Sequence, residues 1–567
     1  MRKILRPLPT AQSAAKSSEE NGGLMKKNEL FEMEITGMTA EGNGVGRAEG
    51  MAVFVPSAAV GDVILCRIVK VLKSHCFGII EKLITPSEDR ISADCPVSEK
   101  CGGCCFRHIS YEAECRVKDK IVRDAFVRLG GFSEEDVTFL DFFGCPETEG
   151  YRNKAMYPVG EKDGKLICGF YSKRSHRIVP CMNCSLQPKI FSEIAEAVLG
   201  YAEKHGIPAY NEETRSGILR HIYLRTGYHS GEIMLCLVVA KKVKTEGFCE
   251  EMAKRFPRIK TILLNINGKN TNVILGDKNI VLYGTGNISD KMCGNNISLS
   301  PHSFYQVNTA QAERLYGFAK EFAIGGGNGL LLDLYCGAGT IGLSMADRFD
   351  RLIGVEVVPQ AVENARENAR KSGVDNAEFL CGDAGDIAKK LSDDGTRPDV
   401  IVVDPPRKGC GEAALSSCVR MSPERIVMIS CNPATAARDC AYLRENGYFL
   451  LSVRGVDMFP RTGHVETVCL LSKLKSDQHI EVELKTDELD LTSAESKATY
   501  DEIKAYVKEH AGLTVSSLNI AQVKQECGII ERENYNKAKT KDSRQPKCTK
   551  EKEEAIVGAL KFFKMVK

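Results

Sequence analysis

The sequence predicts a multidomain protein. The expected order is a disordered leader (1–27), an OB-like β-barrel (28–88), a central α+β domain with a cysteine cluster (89–300), a Rossmann-like α/β domain (301–475) and a small helical C-terminal extension (476–567). Three observations carry this reading. The chain has 567 residues, room for three or four domains at about 150 residues each. Short alternating apolar runs parted by glycine-rich turns fill its first part, and apolar strands alternating with helix-like stretches follow residue 330. After residue 476 the composition shifts to Glu, Lys and Asp.

Composition narrows the class. Lys and Arg number 77 against 75 Asp and Glu, a formal charge of +2, which excludes a uniformly basic nucleic-acid coat and an acidic tail protein. A local basic face remains compatible with that balance. No run of about 18 apolar residues occurs, so no transmembrane helix and no membrane partner is expected. The 23 cysteines come without a signal-peptide hydrophobic run. They therefore read as packed, metal-bound or catalytic thiols of a reducing, cytoplasmic compartment rather than a secreted disulfide framework.

The elements follow in order. Residues 1–25 are small, polar and basic without periodicity, and the early prolines and Glu19-Glu20 disfavour a mitochondrial-type presequence. FEMEITGM, MAVFVPSA, DVILCRIVKVL and HCFGIIEKLI alternate as barrel strands do. Arg67, Lys70, Lys73 and Lys82 dot the later ones, either as a solvated face or as an RNA-binding surface. Next, Cys95, Cys101 and Cys104 are spaced Cx5CxxC, with Cys184 far downstream. Four thiolates suit zinc or an iron–sulfur cluster. Gly102-Gly103 allow a tight fold round a bulky group, and structural zinc more often takes two close cysteine pairs. Cys105 and Cys181 are alternative ligands. IYLRTG, IMLCLVVA and TILLNIN read as central strands, and LLLDLY, RLIGVEVV, AEFLCGD, DVIVVDPP and RIVMISCN as a doubly wound parallel sheet. YFLLSVRGVDMF and HVETVCLLSKL lie too close for a crossover and should close that sheet as an antiparallel hairpin.

The first parallel strand runs into Gly337-Ala-Gly339-Thr-Ile-Gly342, a GxGxxG turn before a helix, and Glu356 ends the next strand where a ribose-binding acid belongs. Alone this fits a dinucleotide site. Asp333, however, suits a ligand with a positive amino-acid head better than a pyrophosphate. Asp383 could meet an adenine edge, and Asp404-Pro405-Pro406-Arg407 resembles the D/N-P-P segment of methyltransferases that use S-adenosylmethionine. This cofactor is favoured over NAD.

Ile429-Ser430-Cys431-Asn432-Pro433 ends the fifth strand, at the sheet edge where such folds bind ligands. The helix-like segment after it should lower the pKa of the Cys431 thiol. In Asp457-Met-Phe-Pro-Arg-Thr-Gly-His464-Val465-Glu466, the alternation puts His464 and Glu466 on one face.

DPPRKG, SCNPAT and DMFPRTGHVE in this order, with HSFYQVN at 302–308 and DLYCGAGTIGL at 333–343, resemble the RNA uracil-5-methyltransferase family across roughly residues 28–475. The nearest resemblance is to the iron–sulfur 23S ribosomal RNA enzymes, whose barrel is the TRAM domain. Met428 stands where that family usually has Tyr, and Arg461 where it has Gln, His or Tyr. The resemblance implies S-adenosylmethionine contacts from Gln306, Tyr335, Glu356 and Asp404. It implies a [4Fe–4S] cluster on Cys95, Cys101, Cys104 and Cys184, the last chosen for its distance after the RIV segment. It also implies ribosomal RNA as partner, with no obligate protein partner. The chemistry agrees: a thiolate adding to carbon 6 of uracil activates carbon 5, and a base then removes the carbon-5 proton. Cys431 fits the nucleophile and Glu466 the base. Transfer RNA is the alternative substrate. An NAD-dependent oxidoreductase and a non-catalytic RNA-binding iron–sulfur protein are the alternatives from other classes. In the extension, a helix-turn-helix-like pattern and a lysine-rich end are expected to add phosphate contacts.

Overall fold

The computed structural model describes residues 25–325, 328–473, 500–513, 515–516, 519–520, 523–524 and 550–562. Most of the expected leader and the lysine-rich stretch 536–549 lie outside these. The chain divides into two compact units, Met1–His479 and Ile480–Lys567.

Five strands, β1 (Leu30–Met38), β2 (Asn43–Ala48), β3 (Met51–Pro56), β4 (Val63–Val71) and β5 (His75–Thr85), close into a barrel in the order β1-β2-β3-β5-β4. Alternation does the work: Met33, Ile35, Val53, Val55, Ile64, Cys66 and Ile68 point inward and fill it. Antiparallel pairing of β1 with β4 shuts the seam and leaves no open edge.

Helix α1 (Tyr111–Asp124) is capped by Ser110, whose Oγ accepts the Ala113 N–H at 3.2 Å. Strand β6 (Thr138–Phe139) follows. The central sheet comprises β7 (Lys154–Lys162), β8 (Lys165–Tyr171), β9 (Ile178–Pro180), β10 (Leu219–Thr226), β11 (Ile233–Val239), β12 (Ile259–Ile266) and β13 (Lys278–Tyr283), in the order β13-β12-β11-β10-β7-β8-β9. β10 and β11 are buried along their whole length because both faces are covered. Ile222, Leu224, Leu235 and Leu237 pack with helices α2 (Lys189–Lys204) and α3 (Phe248–Arg255). The residues between them, Tyr223, Met234, Cys236 and Val238, pack into the core of the next domain.

A hairpin of β14 (Ile288–Met292) and β15 (Asn295–Leu299) and helix α4 (Thr309–Ala323) lead into the α/β domain. Its strands are β16 (Leu330–Leu334), β17 (Arg351–Glu356), β18 (Ala377–Cys381), β19 (Val400–Val403), β20 (Arg425–Ser430), β21 (Phe449–Val456) and β22 (Glu466–Ser472). Interleaved are α5 (Thr340–Met345), α6 (Pro359–Ser372), α7 (Ala384–Asp393), α8 (Glu412–Met421) and α9 (Pro433–Glu445). The sheet order is β18-β17-β16-β19-β20-β22-β21-β6, with β16 to β20 parallel and the order reversing between β16 and β19. The closing hairpin is there, but its last strand slots between β20 and β21, antiparallel to both. The sequence reading missed β6, which pairs with β21 through only Thr138 and Phe139. Val122 and Phe126 pack against the far side of this sheet with Leu334, Met428 and Val453, so residues 111–139 cover it although they precede the central sheet.

In the second unit, α10 (Tyr500–Ala511) ends at Gly512, whose φ of +65° suits glycine. With α11 (Lys550–Phe562), it shares a small core of Ile503, Val507, Val515, Ile520, Val523, Ile556, Ala559 and Leu560. Among the described residues no helix is long and apolar enough to cross a membrane.

Candidate active site

The crevice opens where the strand order reverses, at the C-terminal ends of β16, β17 and β19. Asp333 lies inside β16 and is 1% exposed. Its Oδ2 accepts the Gly342 N–H at 2.8 Å, and a Cβ on Gly342 would stand 2.8 Å from the same oxygen, so the last glycine of the loop is what lets α5 pack there. Its Oδ1 is buried and has no hydrogen-bond partner. Burial pushes the Asp333 carboxyl up to about 8, opposed by the Gly342 N–H and helped by Asp404 and Glu356. Burial also pushes Asp404 up to about 7. Glu356 Oε2 accepts the Gly337 N–H at 3.1 Å and Oε1 the Val358 N–H at 2.8 Å, which ties the glycine loop to β17.

Between Asp333 and the loop, Tyr335 holds a left-handed backbone (φ +68°), a strained state for a side chain with a Cβ. The Gln306 side chain meets the buried hydroxyl of Tyr316 together with Thr340, and that hydroxyl also senses Asp404. Asn153 fixes Gln306 by donating to its carbonyl at 2.7 Å. Gln306 and Asp404 thus lie near the Tyr316 hydroxyl, and Asp404 and Glu356 near Asp333, with Tyr335 at the turn between them. Asp383 instead caps α7, its Oδ1 accepting the Gly385 N–H at 2.8 Å.

Cys431 follows β20 and is half-buried. Asn432 Oδ1 caps α9 by accepting the Ala434 N–H at 3.1 Å, while its Nδ2 donates to the Arg407 carbonyl at 3.1 Å, joining the SCNP turn to the DPPR turn. Ser430 pairs with Thr467 across β20 and β22. Cys431 follows directly on Ser430 and Glu466 directly precedes Thr467; Glu466, 5% exposed, acts electrostatically on the Cys431 thiol. The thiol is raised rather than lowered, which corrects the expectation from the helix N-terminus. Burial dominates, Glu466 and Asp404 add to it, and Arg407 opposes. Glu466 is likewise held well above the usual carboxylate range by burial and Asp404, with Arg407 opposing. Arg407 is thus the cation of this pair, and the sequence reading noted it only as part of a motif.

His464 lies two residues before the start of β22 at Glu466. It is exposed, its ring edge-on to Phe459 at 5.9 Å. The two departures from the family pattern both point inward. Met428 is fully buried against Cys440, and the Arg461 guanidinium donates to the Ile109 carbonyl at 3.3 Å.

Cys95, Cys101, Cys104 and Cys184 occupy one neighbourhood. Burial raises Cys101, and Cys184 and Cys95 add to it; burial also raises Cys104, which feels Cys184 and Cys101. Cys184 is lowered to about 6, chiefly by the Cys181 thiol that donates to it. Cys105 faces the Ala40 carbonyl at 3.8 Å instead. Among the described residues, however, no group of three or more His, Cys, Asp or Glu could hold a metal ion. The expected ligand set is therefore not assembled around one centre: Cys104 is engaged by Arg107, and Cys184 by Cys181. All cysteines among the described residues are free thiols.

A model of the tRNA (uracil-5-)-methyltransferase family matches residues 147–474. A Bacillus cereus protein named as an uncharacterized RNA methyltransferase is 42% identical over 453 residues, 80% of this chain and 98% of its own. A Clostridium tetani protein of the same name is 39% identical over 79% of this chain and 97% of its own. The solved Pyrococcus abyssi tRNA (uracil-54, C5)-methyltransferase, in complex with S-adenosyl-L-homocysteine, superposes with a TM-score of 0.63 and 25% identity, over 78% of this chain and 100% of that one. The chain belongs to the tRNA (uracil-5-)-methyltransferase family.

Proposed function

We propose that this protein methylates carbon 5 of a uridine in RNA, using S-adenosylmethionine and a covalent adduct between Cys431 and the base, with 23S ribosomal RNA as its substrate. The observation that carries the reading is the gathering of Cys431, Glu466, Asp404 and Arg407 within electrostatic reach of one another.

The crevice residues fit the cofactor. Asp333 offers a buried oxygen without a partner, suited to a cationic ligand, and Glu356 stands where ribose hydroxyls belong. Val357 and Val358, 58% and 50% exposed, give an apolar shelf beside it. Asp404 and Glu356 lie near enough to Asp333 to add to the burial that raises its carboxyl, and an acidic cluster of this kind suits a cationic ligand better than a pyrophosphate, which disfavours NAD. When bound, S-adenosylmethionine supplies an electrophilic methyl group.

The chain's own residues do the rest. The target uridine must leave its stack to reach the crevice. Cys431 Sγ, once deprotonated, bonds to carbon 6, and the ring's electron pair moves to carbon 5. After carbon 5 has been methylated, Glu466 takes its remaining proton, the carbon 5–carbon 6 double bond re-forms, and the carbon–sulfur bond breaks. Arg407 favours both the thiolate and the carboxylate.

We also propose a [4Fe–4S] cluster on Cys95, Cys101, Cys104 and Cys184, although these thiols are not drawn round one centre in this structure and would have to close on the cluster as it binds. Its support is their shared neighbourhood and their soft thiol chemistry. Such a cluster would shape the loop, since methyl transfer moves no electrons.

One observation favours transfer RNA as the second reading. The match to the transfer-RNA enzyme covers 78% of this chain, more than the segment 147–474 contains, so what precedes the catalytic region does not by itself separate the two substrates. Mapping 5-methyluridine by mass spectrometry in ribosomal and transfer RNA, from cells with and without the gene, decides between them. Loss from neither pool would sink the proposed activity.

A further inference from the structure

A cluster of buried ions lies beside the active site, on residues that the chemistry above does not use. Lys118 of α1 is 0% exposed, as are the side chains of Glu114 and Asp457. Its ammonium donates to Glu114 Oε1 at 2.8 Å, to Asp457 Oδ1 at 2.8 Å and to the Phe459 carbonyl at 3.2 Å, so its three protons have three acceptors. Asp457 Oδ2 accepts the Tyr111 hydroxyl at 2.9 Å, and Glu114 Oε1 the Arg461 N–H at 2.7 Å. The Arg461 carbonyl accepts the Cys105 N–H at 2.9 Å, and the Pro460 carbonyl the Tyr151 hydroxyl at 2.9 Å. Gln311 donates to the Asp457 carbonyl at 2.9 Å and Asn308 to that of Met458 at 3.2 Å. Gly463 completes the clamp: a Cβ there would fall 1.8 Å from the Ala40 carbonyl of the barrel.

All of these contacts converge on residues 457–463, in the turn between β21 and β22, and Glu466 is the first residue of β22. Cys431 lies between β20 and α9, and the hydrogen bonds and ion pairs of Lys118, Glu114 and Asp457 run to the turn instead. A buried ion cluster is a poor device for stability, because removing charges from water costs nearly what their attraction returns. It is a good device for holding a backbone segment in one place.

Resting on the proposed reaction, we infer that Lys118, Glu114 and Asp457 form a positioning device for Glu466, fixing the turn that aims the base at carbon 5 while leaving the nucleophile's step alone. Lys118 is therefore a positioning residue for proton removal.

The test separates the two steps. Two variants keep the buried charge nearly balanced: Asp457→Asn, and Lys118→Met combined with Glu114→Gln. Each is given RNA with the target uridine, and the covalent enzyme–RNA adduct is followed on denaturing gels through a single turnover, with S-adenosylmethionine binding measured by calorimetry. The adduct should form within about twofold of the wild-type rate, while its resolution slows about 10- to 100-fold, so that methylated RNA stays attached. Lys118→Arg, which keeps the charge, should restore part of the resolution rate. Equal slowing of both steps, loss of folding in both variants, or normal resolution overturns the inference. Failure of the wild type to form any adduct, even with 5-fluorouridine RNA, would instead overturn the reaction on which it rests.

Discussion

Cys431 follows Ser430, whose partner across two antiparallel strands is Thr467, the neighbour of Glu466, and Glu466 adds to the burial that raises the Cys431 thiol. Groups at neighbouring positions of paired strand ends lie within roughly 8 Å of one another. The two side chains are thus placed by adjoining strand ends of one sheet. Carbons 5 and 6 of a pyrimidine are bonded neighbours, so two groups at this spacing can serve both atoms of one ring.

The pair should therefore fail at different steps when altered. Cys431→Ala is expected to bind S-adenosylmethionine and RNA but to form no adduct. Glu466→Gln should add and methylate, then stall, with turnover down on the order of 10²–10⁴-fold. Enzyme and methylated RNA should co-migrate on a denaturing gel for the second variant only. If His464→Gln accumulates the adduct and Glu466→Gln turns over normally, the base has been misassigned.

Arg407 favours the ionised form of both groups. Removing it should push the Cys431 thiol higher still. The rise of adduct formation with pH would then move to higher pH. At a fixed pH below that rise, the rate falls about tenfold for every pH unit the rise has moved. Arg407→Ala should show this in single-turnover trapping with 5-fluorouridine RNA, and Arg407→Lys should recover most of it. An unmoved pH profile in Arg407→Ala would show that the charge is not felt at the thiol.

Much of this was legible in the sequence, where period and spacing are strong signals. The barrel's alternation, the βαβ rhythm after residue 330, the glycine loop and the Cys431 and Glu466 motifs all come from local patterns. What the sequence hid is what tertiary packing decides. Glu114 and Lys118 have the i,i+4 spacing of an exposed helix pair, yet both are fully buried because α1 is covered by the turn at 457–463. The thiol reads as lowered from the helix that follows it, but burial beside two carboxylates reverses the sign. β6 is only two residues long and gives no periodicity to read.

The acids of the crevice give stability a pH dependence. Asp333 and Asp404 are raised from 3.8 to about 8 and about 7, so the folded state holds their protons more tightly than the unfolded chain does. Folding then loses stability as pH rises between roughly 4 and 8, by on the order of a few kcal/mol for each group. The melting temperature of the free protein should fall over that range, and Asp404→Asn should flatten the fall. A cationic ligand reverses the preference, so S-adenosylmethionine binding near pH 7 should release protons. Calorimetry in two buffers of different ionisation enthalpy reads this directly, and proton uptake would contradict the assignment.

The cysteine loop is tested by which thiol matters. Cys104 neighbours Cys101 and Cys184, whereas Cys105 faces the Ala40 carbonyl, so the two adjacent cysteines should behave oppositely. Anaerobically purified protein should be brown, absorb broadly near about 400 nm and carry about four irons per chain. Cys104→Ser should lose that iron and colour, while Cys105→Ser should keep both. The Cys181–Cys184 pair gives a second contrast. Cys184 is the member of the pair that both Cys101 and Cys104 feel. Cys184→Ser should therefore lose iron and Cys181→Ser retain most of it. Colourless wild-type protein with one bound zinc would rule out the cluster, and iron lost equally from Cys104→Ser and Cys105→Ser would mean that folding of the loop, not ligation, was being measured.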